Sequence, residues 1–467
     1  MDNRGKYLAK NTLIFAIGNI ATKLISFVLV PLYTSILSTS QYGVVDLVNT
    51  VGNVMVPILI VNISEAVMRF SLDKDADYSK IMSIGMTILV GAVFLGIVVV
   101  PGSQLIADIA PYAVYVYLYT LSLSASQLFL CYLRGKEEIG LYSVGNIVQT
   151  LLIAVLNIAF LKFMRFGICG YFTAYIIANF VTAIYAFIVG DVIHVFANFK
   201  IDKKLATEML KYSIVLIPNT FMWWIMNSSD RLMVTSMIGI AANGIYAVAY
   251  KIPSLVSTLT GIFNQAWSYS AIREDGAEDE QRYNNRIFCQ LVSVIILLSI
   301  ALLTVIKPFL KLYVGVNYYE AWHYTPFLIV GSAYLTMATF MATSYTVHKD
   351  SFGYLFSASF GAILNIVLNF ALIPLIGVYG AAFATCVSYI AVFLFRLIHT
   401  RKYIKYEVEN KEFVVGSILM ILSSVALFIN DSFGIVIQII VFAIAIWLYS
   451  NAWMPLVHMV VKKIVRR

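Results

Sequence analysis

The sequence predicts an all-α polytopic membrane protein of about 14 transmembrane helices. Three observations carry that expectation. Only 12% of the 467 residues are charged while 61% are apolar, against a charged share of about 25% in ordinary soluble proteins. The apolar residues gather into long stretches free of Asp, Glu, Lys and Arg, many reaching the roughly 20 residues that a helical span needs. Lys and Arg concentrate in alternate connections between those stretches. A soluble multidomain enzyme of this length would have too few charges to coat its domains. A β-barrel is excluded because the apolar runs are continuous rather than alternating. The four cysteines, Cys131, Cys169, Cys289 and Cys386, are isolated in apolar segments, without disulfide or metal-ligand spacing, and read as small core residues.

The expected spans follow in order. The first, 10–37, carries Lys23 near its centre and runs into Pro31 rather than a small-residue cleavage site, so it reads as a span and not a cleavable signal. The second, 42–69, begins after the turn at Gln41-Tyr42-Gly43 and ends at Arg69. The next four cover 80–102, 111–134, 138–162 and 168–194, each bounded by charged residues. The seventh and eighth, 206–238 and 242–272, flank a short turn near 240. The ninth and tenth cover 286–307 and 321–347. The charge-free stretch 351–395 is long enough for two spans, and Pro374-Leu375-Ile376-Gly377 divides it into 351–374 and 378–399. The last two are 411–430 and 434–461.

With the N-terminus in the cytoplasm, 25 of the 32 Lys and Arg fall on the inside and four (Lys162, Arg165, Lys307, Lys311) on the outside. That bias predicts a multi-pass membrane protein with both termini in the cytoplasm. It also accounts for the formal charge of +8, so nucleic acid is not required as a partner. No P-loop, zinc cluster or Ser/His/Asp set is visible, and neither a nucleotide, a cofactor nor a metal is expected.

Two pairs of segments resemble each other. Gln41-Tyr42-Gly43-Val44 matches Asn243-Gly244-Ile245-Tyr246, both at short outer turns, with glycines 201 positions apart. Gly167-Ile168-Cys169-Gly170-Tyr171 matches Gly377-Val378-Tyr379-Gly380-Ala381, with glycines 210 apart. The repeat divides the chain into two six-helix lobes, 1–200 and 201–400, plus a C-terminal pair, 401–467. An even number of spans per lobe makes the repeat parallel, with a pseudo-twofold axis along the membrane normal, an architecture suited to alternating access.

Three cations, Lys23, Arg231 and Lys251, remain inside spans, where each costs roughly 2.5–3.5 kcal/mol on insertion scales and calls for a reason. Asp46, Asn49 and Asn53 form a polar stripe on the second span; Trp223, Asn227 and Asp230 form another on the seventh. Asp230 and Lys251 lie at equal depth on adjacent antiparallel spans, so an ion pair between them is expected. Arg231 points about 100° away from Asp230. Glu65 and Arg69, four apart at the inner end of the second span, are expected to bridge locally or to gate the cytoplasmic side. Trp223, Tyr250 and Trp267 lie deep enough for stacking on sugar faces or for packing between lobes.

Over essentially the whole chain the sequence resembles the polysaccharide repeat-unit flippases of the multidrug/oligosaccharidyl-lipid/polysaccharide exporter superfamily. The most specific stretch runs Ile217-Pro218…Ser229-Asp230-Arg231…Gly244-Ile245-Tyr246…Lys251. Ala66-Val67-Met68-Arg69-Phe70, Phe263-Asn264-Gln265-Ala266-Trp267 and Gly377-Val378-Tyr379-Gly380 are also similar. The family often has Pro shortly after the Trp of the eighth span, and here Ser268-Tyr269-Ser270 follows. The resemblance implies a transporter rather than an enzyme. It implies translocation of an undecaprenyl-pyrophosphate-linked oligosaccharide for O-antigen, capsule or exopolysaccharide biosynthesis, with the bilayer as partner and the pathway's polymerase and glycosyltransferases as candidate partners. Lys23, Arg231 and Lys251 would then attract the pyrophosphate, with Asp46 and Asp230 holding those cations. A multidrug or cation antiporter of the same superfamily and a membrane polysaccharide polymerase or ligase are the rival readings. The largest outer connection, 308–320, is short for an enzyme's catalytic loop.

Overall fold

The computed structural model describes residues 20–73, 75–103, 107–273, 276–408, 411–429 and 431–450. Residues 10–19 of the first expected span and 451–461 of the last lie outside the described residues. Among those described, the protein is helical from end to end, with no strand. In chain order the helices are α1 (Ile20–Ile36), α2 (Thr39–Leu59), α3 (Ile63–Ser71), α4 (Tyr78–Ser103), α5 (Ala113–Gly135), α6 (Ile139–Asn157), α7 (Gly167–Val189), α8 (Val192–Ala197) and α9 (Lys203–Met237). There follow α10 (Ile240–Ala249), α11 (Lys251–Arg273), α12 (Glu280–Tyr313), α13 (Thr325–Val347), α14 (Ser351–Ile376), α15 (Val378–His399), α16 (Lys411–Ala426) and α17 (Asp431–Leu448). The expected spans are mostly helical in their described parts, with breaks after Leu59 in the second and at Tyr250 in the eighth. Nine of the described helical segments are long and apolar enough to cross a bilayer, which makes this a multi-pass membrane protein.

The second expected span is interrupted. Its helix stops at Leu59 and restarts at Ile63, and Val61 and Asn62 between them have φ of 49° and 53°. The Asn62 N–H bonds the Pro57 carbonyl at 2.8 Å and the Val61 N–H bonds Ile58 at 3.3 Å. This is a Schellman-type helix end, whose left-handed position is normally filled by glycine. A β-branched valine there is strained, by roughly 1–2 kcal/mol. No glycine announces the break, which is why the apolar pattern reads as one continuous helix. The start of α2 is better signposted: the Ser38 hydroxyl accepts from the Gln41 N–H at 3.2 Å and the Gln41 side chain accepts from the Ser38 N–H at 3.0 Å, a reciprocal capping box.

By internal contacts the chain forms two units, Met1–Ala247 and Val248–Arg467. In the first, α5 packs along α7 and α3, α6 lies against α7, and α9 runs along α2 and α3. Its core is built from residues such as Ile63, Val67, Met82, Leu128 and Leu133, all fully or almost fully buried. In the second, α13 and α15 form the central pair, with α14 on α15, α11 on α13, and α12 against α16 and α17. The boundary after Ala247 reflects packing: α9 belongs with α2 and α3, so contact and internal resemblance divide the chain at different places.

One charge departs from the sequence reading. Arg396, counted above among the cytoplasmic loop cations, is buried to 1% exposure inside α15. Its Nε donates to the Ser357 hydroxyl at 3.0 Å and its Nη1 to the Ala338 carbonyl at 2.9 Å, and the guanidinium lies over the Tyr354 ring. It ties α13, α14 and α15 together. A basic residue in the last turn of a span looks the same in sequence whether it points into the loop or back into the bundle.

Candidate functional site

In the first unit, α2, α9 and α10 meet around a buried charged cluster. The α2–α10 contact comes first, because it sets the distance. Gly43 and Gly244 face each other across it. A Cβ on Gly43 would stand 2.0 Å from the Ile240 carbonyl oxygen, and one on Gly244 would stand 2.0 Å from the Thr39 carbonyl oxygen. Each glycine thus meets the carbonyl four residues before the other, a reciprocal crossing that only two glycines allow. These are the glycines singled out by the repeat.

Three residues after Gly43, Asp46 turns into the gap between the helices. Its Oδ1 accepts from Arg231 Nη1 of α9 at 2.8 Å, and its Oδ2 accepts from Asn243 Nδ2 of α10 at 3.4 Å. Asn243 also donates to the Gly43 carbonyl at 3.3 Å. One residue before Arg231, Asp230 points elsewhere, as helical geometry requires. Its Oδ2 accepts from the Tyr246 hydroxyl at 2.8 Å and its Oδ1 from the Arg231 backbone N–H at 2.9 Å. Trp224 Nε1 also donates to the Thr50 carbonyl of α2 at 2.8 Å.

A buried ion pair is held only where further hydrogen bonds satisfy its remaining lone pairs and protons. Asn243 provides one for Asp46, and Tyr246 does the same for the neighbouring Asp230. The exposures are unequal: the Asp46 side chain is 7% exposed and that of Arg231 is 20%. The carboxylate is therefore the more deeply buried partner.

The other expected site residues are distributed as follows. Lys23 is exposed on α1, with no ion pair among the described residues. The stripe on α2 splits, with Asn49 donating to the Tyr171 hydroxyl at 3.2 Å and Asn53 exposed. Asn227 donates to the Trp223 carbonyl at 2.7 Å, both half-buried. Tyr250 and Lys251 belong to the second unit, at the break between α10 and α11, so the pairing of Lys251 with Asp230 stays an expectation. Trp267 is a packing residue: 4% exposed, it stacks on Phe340 with ring centroids 4.7 Å apart. The expected Glu65–Arg69 bridge is not formed. Arg69 Nη1 bonds Asp73 at 2.7 Å, one turn further on and in the solvated helix end, while Glu65 faces a cavity against α5 and α6.

Asn243 and Tyr246 are the members of this cluster that the sequence reading passed over. Both stood inside its two most telling motifs, the repeat and the family stretch, where the glycine and the charges drew attention.

The all-helical membrane bundle carries a buried charge cluster, and its helices are broken at two places, a feature also met in secondary transporters. A family model described as "Polysaccharide biosynthesis protein" matches residues 8–269, and the chain belongs to that family. Among solved structures, the chain is similar to the lipid II flippase MurJ in an inward closed conformation, at 13% identity and a TM-score of 0.63, over 96% of this chain and 100% of that one. It is similar to an inward-facing multidrug resistance MATE family transporter of the MOP superfamily at 12% identity and a TM-score of 0.62, over 84% and 94%. A MOP superfamily transporter from Pyrococcus furiosus matches at 12% identity and a TM-score of 0.56, over 84% and 95%. At such identities the structures establish the superfamily's fold and nothing finer. No curated protein matches the chain.

Proposed function

We propose that the protein is a flippase that moves an undecaprenyl-pyrophosphate-linked oligosaccharide repeat unit from the inner to the outer leaflet of the bacterial cytoplasmic membrane by alternating access. Both termini are cytoplasmic in this reading, and the chain has 14 spans in two six-helix lobes and a C-terminal pair. The reading rests on one observation: inside the bundle, Arg231 is paired with a nearly inaccessible Asp46, and its own side chain is 20% exposed. A guanidinium held in that way offers paired donors to a phosphate in a low-dielectric setting. Lys23 and Lys251 add positive potential along the same path. The polar headgroup crosses roughly 30 Å of hydrocarbon in a hydrated cavity while the prenyl tail stays in lipid.

The reciprocal Gly43–Gly244 crossing supports the parallel repeat, since residues related by about 200 positions meet as equivalents. No catalytic role is assigned to any residue. The polymerase and glycosyltransferases of the same pathway are the proposed partners.

The test is a vesicle assay with the purified protein and a fluorescent prenyl-pyrophosphate-linked oligosaccharide, scored by accessibility of the headgroup on the far side. Wild type is expected to equilibrate the leaflets, and Arg231→Ala and Lys23→Ala to slow that at least about tenfold, the loss of one charge-assisted hydrogen bond. Equal rates in all three would overturn the cationic path. Uptake of organic cations without lipid flipping would favour the antiporter of the same superfamily.

A further inference from the structure

We propose that the cavity between α3, α5 and α6 is a subsite for one sugar ring of the headgroup; the proposal rests on the flippase reading. The cavity has a volume of about 260 Å³ and lies wholly in the first unit. Its polar lining is Glu65 from α3, Gln127 and Arg134 from α5, and Tyr142, Asn146 and Gln149 from α6. The spacings are helical: 127 and 134 share one face of α5, and 142, 146 and 149 share one face of α6. Each helix turns a polar stripe toward the same space.

The two charges are placed by the helix ends. The break at Val61–Asn62 restarts the chain as α3 with Glu65 in its first turn, and Arg134 lies in the last turn of α5. These are the signs that the helix dipoles favour. α3 is held against α5 at Gly135, where a Cβ would come within 2.6 Å of Ser71 Cβ and 2.9 Å of the Met68 carbonyl oxygen. The wall that carries Glu65 is therefore fixed.

The chemistry of the lining points to hydroxyl groups. Among the described residues the Glu65 carboxylate has neither an ion pair nor a side-chain hydrogen bond, an expensive state for an acid in a membrane bundle. Asn146 donates its amide N–H to the Tyr142 carbonyl at 3.0 Å. Gln149 donates to Asn179 Oδ1 at 2.7 Å, and Asn179 passes on to the Ser122 hydroxyl at 3.2 Å. Each amide has one N–H engaged in this way and keeps its oxygen and a second N–H as further hydrogen-bonding capacity. Acceptors and donors thus converge with one carboxylate and one guanidinium, and the formal charge of the lining is zero. A phosphate finds no excess of cations there and an organic cation no excess of anions. A neutral pyranose with vicinal hydroxyls matches both the acceptors and the size. The cavity lies at the predicted cytoplasmic ends of its helices, where the headgroup is loaded.

The experiment compares binding of polyprenyl pyrophosphate with that of polyprenyl pyrophosphate carrying glucose, galactose or N-acetylglucosamine, to the purified full chain in detergent. At least one sugar-bearing lipid is expected to bind about tenfold tighter than the bare lipid. Glu65→Gln and, separately, Asn146→Leu should reduce that preference to within about twofold, with affinity for the bare lipid unchanged. The second variant covers the case in which the first fails to fold. Equal affinity of wild type for all four lipids, or a preference that survives both substitutions, overturns the subsite. A preference lost in both variants while Arg231→Ala leaves bare-lipid binding intact supports the subsite and overturns the cationic path.

Discussion

Two polar regions of the first unit use the same kinds of residue to opposite ends. Around Asp46 and Arg231, every charge has a short partner and neighbouring helices touch backbone to backbone. Around Glu65, the charges sit on helix ends fixed by equally close packing, yet they open onto a cavity. The difference lies in the connecting residues. Asn243 and Tyr246 reach in from α10 to bond Asp46 and Asp230, whereas Asn146 and Gln149 bond the Tyr142 carbonyl and Asn179 and make no bond to Glu65. A buried carboxylate tied to a neighbouring helix, as Asp46 is to Arg231, helps to hold the fold together. A charge that opens onto a cavity, as Glu65 does, has room beside it for a ligand.

This contrast can be broken most strongly at the glycine crossing. Gly244→Leu should abolish export and lower the thermal midpoint in detergent, because the new side chain is driven into the Thr39 carbonyl. Overpacking of this kind costs about 1–3 kcal/mol or more. The same substitution at Gly261, where nothing lies within 4 Å, should leave the midpoint unchanged, and equal melting of the two variants would refute the crossing.

Removing half of the ion pair comes next. Arg231→Ala strands a buried carboxylate and should cost about 3–5 kcal/mol, whereas Asp46→Leu with Arg231→Met should recover most of that stability. If the double variant also recovers lipid flipping, Arg231 is a structural residue and no more.

A gain is expected at the helix break. Val61→Gly relieves the left-handed valine and should raise stability by about 1 kcal/mol, read as a higher midpoint in a denaturant or thermal series. A lower midpoint would show that the break is not strained.

The smallest effect is the best defined in pH. Asp350 caps α14: its Oδ1 accepts from the Gly353 N–H at 2.8 Å, and its Oδ2 from Lys402 and the Tyr403 hydroxyl, each at 3.0 Å. These bonds, the Gly353 one first, hold its carboxyl down at about 2. Because the folded value is depressed, the stabilisation is complete above the unfolded value of about 3.9 and is lost as the pH falls from there through about 2. The difference in midpoint between wild type and Asp350→Asn should be constant from pH 7 to about 5 and shrink below 4.

Most of the architecture was legible because long apolar runs admit few alternatives. What escaped was decided by contacts that span the chain or by a backbone state without its usual residue. Arg231 and Asp46 are 185 positions apart; each was recognisable as a costly intramembrane charge, but their partnership depends on how α2 and α9 pack. The rule for residues four apart paired Glu65 with Arg69, yet the same rule serves Arg69 and Asp73 equally, and the solvated end of the helix decided between them. Valine at a left-handed turn gave no warning of the break. Arg396 was misplaced because the pattern of positive charges locates the end of a span and not the direction of its last side chain.

The glycine crossing carries one further consequence, for the record that a family of such proteins would leave. In most helix contacts a change on one side can be compensated on the other, and the pair drifts together. Here each glycine faces the other helix's backbone, which no substitution can move aside, so neither position can follow the other. A comparison of many related sequences should therefore show no correlated variation between 43 and 244. This backbone-to-backbone contact would be silent to any method that infers proximity from co-evolution, and would register only as two columns that do not change.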